Sequence, residues 1–121
     1  KPDTIAKSLA IGNPADGPYA LDVVRRTGGA IADVSDDEVI EGIKLLARTE
    51  GIFAETAGGV VVASYVKLLR EGKIDPEAET VLLNTGDGLK TLDAVEPTSK
   101  PTMIISPSYD EFDAEYSKVN S

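Results

Sequence analysis

Apolar residues recur at three- and four-residue spacing through Val39, Ile40, Ile43, Leu46 and Ala47, the period of one face of an α-helix. Ser35-Asp36-Asp37-Glu38 stands just before them. The serine hydroxyl can accept from an unpaired amide of the first turn, Glu38 can reach back to the Ser35 N–H, and the acidic first turn suits the positive end of the helix dipole. Gly51 supplies a stop. A second apolar run, Ala57 to Arg70, is rich in β-branched residues. Its length, the basic Lys67 and Arg70 at its end and Gly72 beyond predict a largely buried helix rather than a strand. Gly58 and Gly59 each weaken such a helix by about 1 kcal/mol relative to alanine. Close approach of the backbone to a ligand or neighbour is therefore expected there.

The remaining pattern is weaker. Ile5 and Leu9, with Ala6 and Ala10, make a faint apolar repeat that breaks at Ile11-Gly12-Asn13-Pro14, a loop signal. Pro18 suits the first helical position, and Leu21, Val23 and Val24 follow in a short helix ended by Gly28-Gly29. Ala30 to Val34 reads as a short strand, Asp75-Pro76 as a turn, and Thr80 to Asn84 as a buried strand. Helices alternating with strands at these lengths predict an α/β unit with parallel pairing. The segment 96–101 is rich in Pro, Ser and Thr and marks a linker. Beyond it Ser108 can cap a short acidic helix whose Tyr109, Phe112 and Tyr116 share a face, which predicts that this helix docks.

Composition narrows the chemistry. The 121 residues contain no cysteine and no histidine, so disulfides, zinc-thiolate sites, a cysteine nucleophile and the commonest general base are excluded. Twelve Lys and Arg against twenty-one Asp and Glu leave a net charge of −9, which repels phosphate backbones and anionic lipid heads. Nucleic acid and membrane surfaces are therefore not expected partners. The longest apolar stretch, Val60 to Val66, is interrupted by Ser64 and is far shorter than the ~20 residues of a membrane span. No secretory signal pattern opens the chain, and its first residue is Lys1 and not Met. A cytoplasmic protein with a further upstream portion is expected. A self-sufficient catalyst is hard to build from this inventory.

Three motifs can carry chemistry. Asn84-Thr85-Gly86-Asp87-Gly88-Leu89-Lys90 leaves the carboxyl end of a predicted strand, where open α/β sheets bind ligands. A hydroxyl flanked by glycines can approach a planar ligand and donate to, or accept from, a ring nitrogen. The plainer reading is a glycine-rich turn whose Thr and Asp satisfy local backbone groups. Glu55-Thr56-Ala57-Gly58-Gly59 opens the second helix, and exposed amides there attract anions. Its plainer reading is an N-cap by Glu55 or Thr56 with glycines for packing. Gly12-Asn13-Pro14 is a third candidate, or simply a turn.

Together with their flanks, these motifs resemble a known family. Ala10-Ile11-Gly12-Asn13-Pro14, Thr49 to Gly59 and Thr85-Gly86-Asp87-Gly88-Leu89-Lys90 stand in the order found in the C-terminal third of threonine synthases. These belong to the fold-type II (tryptophan-synthase β-like) enzymes that use pyridoxal phosphate. The resemblance covers roughly residues 1–93. It implies an α/β fold with helices on a mostly parallel sheet, residues 1–95 as the C-terminal part of a catalytic domain, and 96–121 as a linker and acidic helical tail. It also implies conversion of O-phospho-L-homoserine and water to L-threonine and phosphate, and a homodimer when full length. Thr85 matches the family's hydroxyl at the pyridine nitrogen. Gly86, Glu55 and Gly58 match cofactor-binding positions, and Asn13 and Pro14 match a loop near the substrate. The family's Schiff-base lysine and phosphate cradle fall upstream, since Lys7, Lys44, Lys67, Lys73 and Lys90 match no such motif. This chain alone is then expected to be inactive. Thr56 stands where relatives usually carry Pro, and Asp87 where Asn or His is more usual. The related threonine and serine dehydratases, and a non-catalytic α/β binding module, are the alternatives.

Overall fold

The computed structural model describes residues 1–119. The last two residues of the expected 96–121 tail lie outside it. Among the described residues there are five α-helices: α1 (Gly17–Thr27), α2 (Asp36–Glu50), α3 (Thr56–Arg70), the single turn α4 (Leu92–Val95) and α5 (Tyr109–Val119). Short 3-10 turns occupy Lys7–Leu9, Gly88–Thr91 and Glu96–Thr98.

The predicted helix signals are realised. The Ser35 hydroxyl accepts from the Glu38 N–H at 3.3 Å, and the Glu38 carboxylate accepts from the Ser35 N–H at 2.7 Å, completing the capping box. The bond from the Ser35 N–H, with the Ser35 hydroxyl beside the carboxylate, holds the Glu38 carboxyl below its ordinary pKa. Gly51 ends α2 with φ of 68°, and Gly28 ends α1 in the same left-handed conformation, which glycine adopts without steric cost. Ser108 accepts from the Glu111 N–H at 3.4 Å and from the Phe112 N–H through its carbonyl, opening α5.

The core lies where α2 and α3 cross. Val39 and Ile43 on α2 join Val95 of α4, and Ile5, Val34, Phe53 and Val60 pack on them. Glycines bring the two helices into backbone contact: a Cβ on Gly42 would stand 2.5 Å from the Gly59 carbonyl oxygen, and one on Gly59 would stand 2.6 Å from that of Val39. The helix cost of Gly59 is thus offset by close packing against a neighbour. Burial in α3 is concentrated in its first half, at Thr56, Gly58, Gly59, Val62 and Ala63. Asp36, at the start of α2, also grips the N-terminal segment, its carboxylate accepting from the Thr4 hydroxyl at 2.5 Å and the Ile5 N–H at 3.1 Å.

The two predicted strands are not formed among the described residues. Ala30 to Val34 has no ladder, and the Asp33 carbonyl accepts from Lys67 Nζ at 2.6 Å instead. Lys67 also faces the Asp33 carboxylate. Asp33's own backbone bond and this lysine lower the Asp33 pKa. Thr80 to Asn84 is exposed rather than buried, with Val81 at 79% and Leu83 at 72%. A strand satisfies its N–H and C=O groups only through a neighbour, and among the described residues neither stretch pairs with another segment. The sole β-bridge described, Ala54 with Asp87, falls just beyond. The aromatic face of α5 is open as well, and none of that helix is buried; Phe112 and Tyr116 stack on each other at 5.3 Å. No described helix is long and apolar enough to cross a membrane.

Candidate functional site

The second and third motifs of the chain meet. Residues 53–58, which lead into α3, lie against residues 84–91. The Glu55 N–H donates to the Gly86 carbonyl at 3.1 Å, and the Gly88 N–H donates to the Phe53 carbonyl at 2.9 Å. Around the Ala54–Asp87 bridge the backbone alternates, as extended chain does. Asn84, Gly86 and Gly88 turn inward. Asn84 Oδ1 occupies the space a Cβ on Gly58 would need, 2.4 Å from it. A Cβ on Gly86 would overlap the Glu55 carboxylate, and one on Gly88 would stand 2.5 Å from the Phe53 ring. Gly86 and Gly88, which follow Thr85, therefore serve close approach between two protein segments.

The alternation turns Thr85 and Asp87 the other way. Both are exposed and line an open hollow of about 580 Å³ with Gly51, Ile52, Phe53, Asn84 and Gly86. Among the described residues the Thr85 hydroxyl has no hydrogen-bond partner. Asp87 is partly absorbed locally, its carboxylate accepting from the Leu89 N–H at 2.8 Å and capping the 3-10 turn. That agrees with the plainer reading of this residue.

Glu55 and Gly58 form the support of the hollow and not its lining. Glu55 holds the N-cap position of α3 but makes no side-chain cap bond. Its side chain, 12% exposed, lies over Gly86 with Lys90 Nζ 3.8 Å away. The cap comes instead from Thr91, whose hydroxyl accepts from the Thr56 N–H at 3.1 Å across 35 positions. The Thr56 hydroxyl is fully buried and has no partner. Neither role of Thr91 nor that of Asn84 has a local sequence signal, because each depends on a contact remote in the chain. Asn13 and Pro14 do not join the hollow. Both are exposed, and Pro14 closes the turn into α1, its carbonyl accepting from the Gly17 N–H at 3.2 Å.

Chemically, the hollow offers one unengaged hydroxyl, a carboxylate already accepting a hydrogen bond, and backbone. No described lysine lines it: Lys90 faces Glu55, Lys7 pairs with Asp93, Lys44 with Glu41 and Lys67 with Asp33. Such a surface can orient a planar polar ligand but presents no amine or nucleophile–base pair.

Comparison with known proteins shows what the sequence is similar to. Threonine synthase of Methanocaldococcus jannaschii is 45% identical over 104 residues, which are 85% of this chain and 26% of that protein. That of Bacillus sp. (strain ULM1) is 41% identical over 93 residues, 77% of this chain and 26% of the relative. That of Halalkalibacterium halodurans is 35% identical over 108 residues, 89% and 29% respectively. The chain thus spans about a quarter of the length of the curated relatives it matches. The pyridoxal-phosphate dependent enzyme family matches residues 1–86, covering the three motifs up to Gly86, and the chain belongs to that family.

Proposed function

We propose that the chain is the C-terminal portion of a pyridoxal-phosphate-dependent threonine synthase, which converts O-phospho-L-homoserine and water to L-threonine and phosphate. The observation that carries the reading is the outward, unengaged hydroxyl of Thr85, set there by the inward seating of Asn84 and Gly86. The donor set suits the cofactor. A neutral hydroxyl can bond a pyridine nitrogen without holding it protonated as a carboxylate would. The hollow is also within the few-hundred-Å³ range of small-molecule sites.

When bound, pyridoxal phosphate supplies an electron sink for bonds at the amino-acid α-carbon and beyond. The residues of this chain hold and orient. Thr85 bonds the ring nitrogen, while Gly86 keeps the Thr85 loop in register under Glu55. Glu55 and Gly58 act through that support rather than by touching the ring. Asn13 and Pro14 serve the substrate side only if the rest of the protein brings their loop to the hollow. The lysine that retains the cofactor and the group that cradles its phosphate belong to the remaining three-quarters of the protein, so this portion alone does not turn over.

The same reading accounts for the exposed apolar stretches. Residues 30–34 and 80–84 join a mostly parallel sheet completed by the rest of the protein, residues 1–95 belong to its catalytic domain, and 96–121 form an appended tail. The whole is a cytoplasmic homodimer. The test is product identity with full-length protein. Phosphate release from O-phospho-L-homoserine, strongly reduced by Thr85→Ala, supports the assignment. Ammonia release from threonine, with no phosphate from O-phospho-L-homoserine, refutes it in favour of a dehydratase.

A further inference from the structure

We propose that Thr91 is a positioning residue for Thr85, acting through a latch: the hydrogen bond from the Thr56 N–H to the Thr91 hydroxyl. The inference rests on the assignment of Thr85 to the cofactor ring.

The loop bearing Thr85 is fastened to the start of α3 at both ends. Before Thr85, Asn84 Oδ1 sits on Gly58. After it, two backbone bonds join Gly86 to Glu55 and Gly88 to Phe53, and Thr91 closes the far end on Thr56 at 3.1 Å. Among the described residues the latch is the one hydrogen bond after Thr85 that a side-chain oxygen makes to the start of α3, beside the longer Lys90–Glu55 ion pair at 3.8 Å. It is also sheltered, since Thr56 is fully buried and Thr91 is partly so. A hydrogen bond in such a place is costly to leave unmade, because the amide has no water to turn to. Thr56 occupies the first position of α3 and Glu55 before it has φ −67° and ψ 172°, a conformation that a following proline accepts. A proline there would have no N–H to give. The latch uses a backbone amide, so it needs only a residue other than proline at this position, and the threonine present leaves its own buried hydroxyl without a partner. Asp87 secures the same loop by capping the turn that leads to Thr91.

The test compares Thr91→Val, Thr91→Ser and Thr56→Pro in the full-length protein, with Thr85→Ala as reference. Two readouts serve: the visible absorption of bound pyridoxal phosphate with its retention on dialysis, and amide hydrogen exchange across residues 84–91 in the cofactor-free protein. Loss of one such bond should weaken retention about fivefold. Thr91→Val should also shift the absorption in the direction of Thr85→Ala and speed exchange at Gly86 and Gly88. Thr91→Ser should restore both. Thr56→Pro should act like Thr91→Val, and combining the two should add nothing; it also keeps the test alive if Thr91→Val fails to fold. Wild-type spectra and exchange in Thr91→Val and Thr56→Pro, with a clear shift in Thr85→Ala, would overturn the latch and leave the cofactor assignment standing. A wild-type spectrum in Thr85→Ala would overturn both.

Discussion

Two stretches of this chain are about equally apolar and meet opposite fates. Val60 to Ala63 lies within α3 and is partly or fully buried against α2, whereas Val81 to Leu83 is exposed, Leu83 at 72%. Apolar content does not separate them. A helix closes its own backbone hydrogen bonds and needs only one face covered, which α2 covers through the Gly42–Gly59 contact. A strand needs a neighbour for every second backbone group before it can bury anything, and residues 80–84 have none among those described. The site sits between these two regimes. The start of α3 is rigidly packed, and it lends that rigidity to the Thr85 loop through backbone bonds and inward-facing glycines.

The comparison can be broken on its packed side. Gly42→Val places branched carbon where even a Cβ would be 2.5 Å from a backbone oxygen. It should destabilise the protein by about 3 kcal/mol, read as a lower midpoint in urea. A midpoint within error of wild type would mean the helices do not touch as described. On the open side, Leu83→Ser should cost about 2 kcal/mol in the full-length protein, where the proposed sheet covers it. A cost below about 0.5 kcal/mol is what an exposed position gives, and it would show that the stretch stays open there too. Between these regions, Ser35→Ala removes the cap that starts α2 and should cost about 1 kcal/mol. The smallest effect is acid sensitivity. The Glu38 carboxyl is lowered in the folded state from its ordinary value of 4.5, so its contribution is full above that value and is lost as pH falls through the lowered one. Glu38→Gln should flatten this acid limb in a melting-temperature series, and an unchanged limb would assign the sensitivity to other groups.

Legibility in the sequence followed the range of the interactions. The capping box at Ser35, the left-handed glycines at 28 and 51 and the period through Val39 and Ile43 are local signals, so α1 and α2 could be read directly. The glycines at 58 and 59 announced a close approach but not its partners, which proved to be Asn84 and α2. Thr85 was found as a candidate, yet the reason it points outward, an alternation imposed by pairing with 53–55, is tertiary. Thr91 carries no local mark at all, since its partner lies 35 positions away. The strands at 30–34 and 80–84 are read from short apolar runs, which specify a willingness to pair and not the presence of a partner.

The claim on which the account turns is that the Thr85 hydroxyl bonds the cofactor ring nitrogen. Full-length protein loaded with pyridoxal phosphate carrying ¹⁵N in the ring reports on that atom alone. The account predicts that Thr85→Ala moves the ring-nitrogen resonance clearly from its wild-type position, and that Thr85→Ser returns it. A resonance unmoved by Thr85→Ala would contradict the central claim.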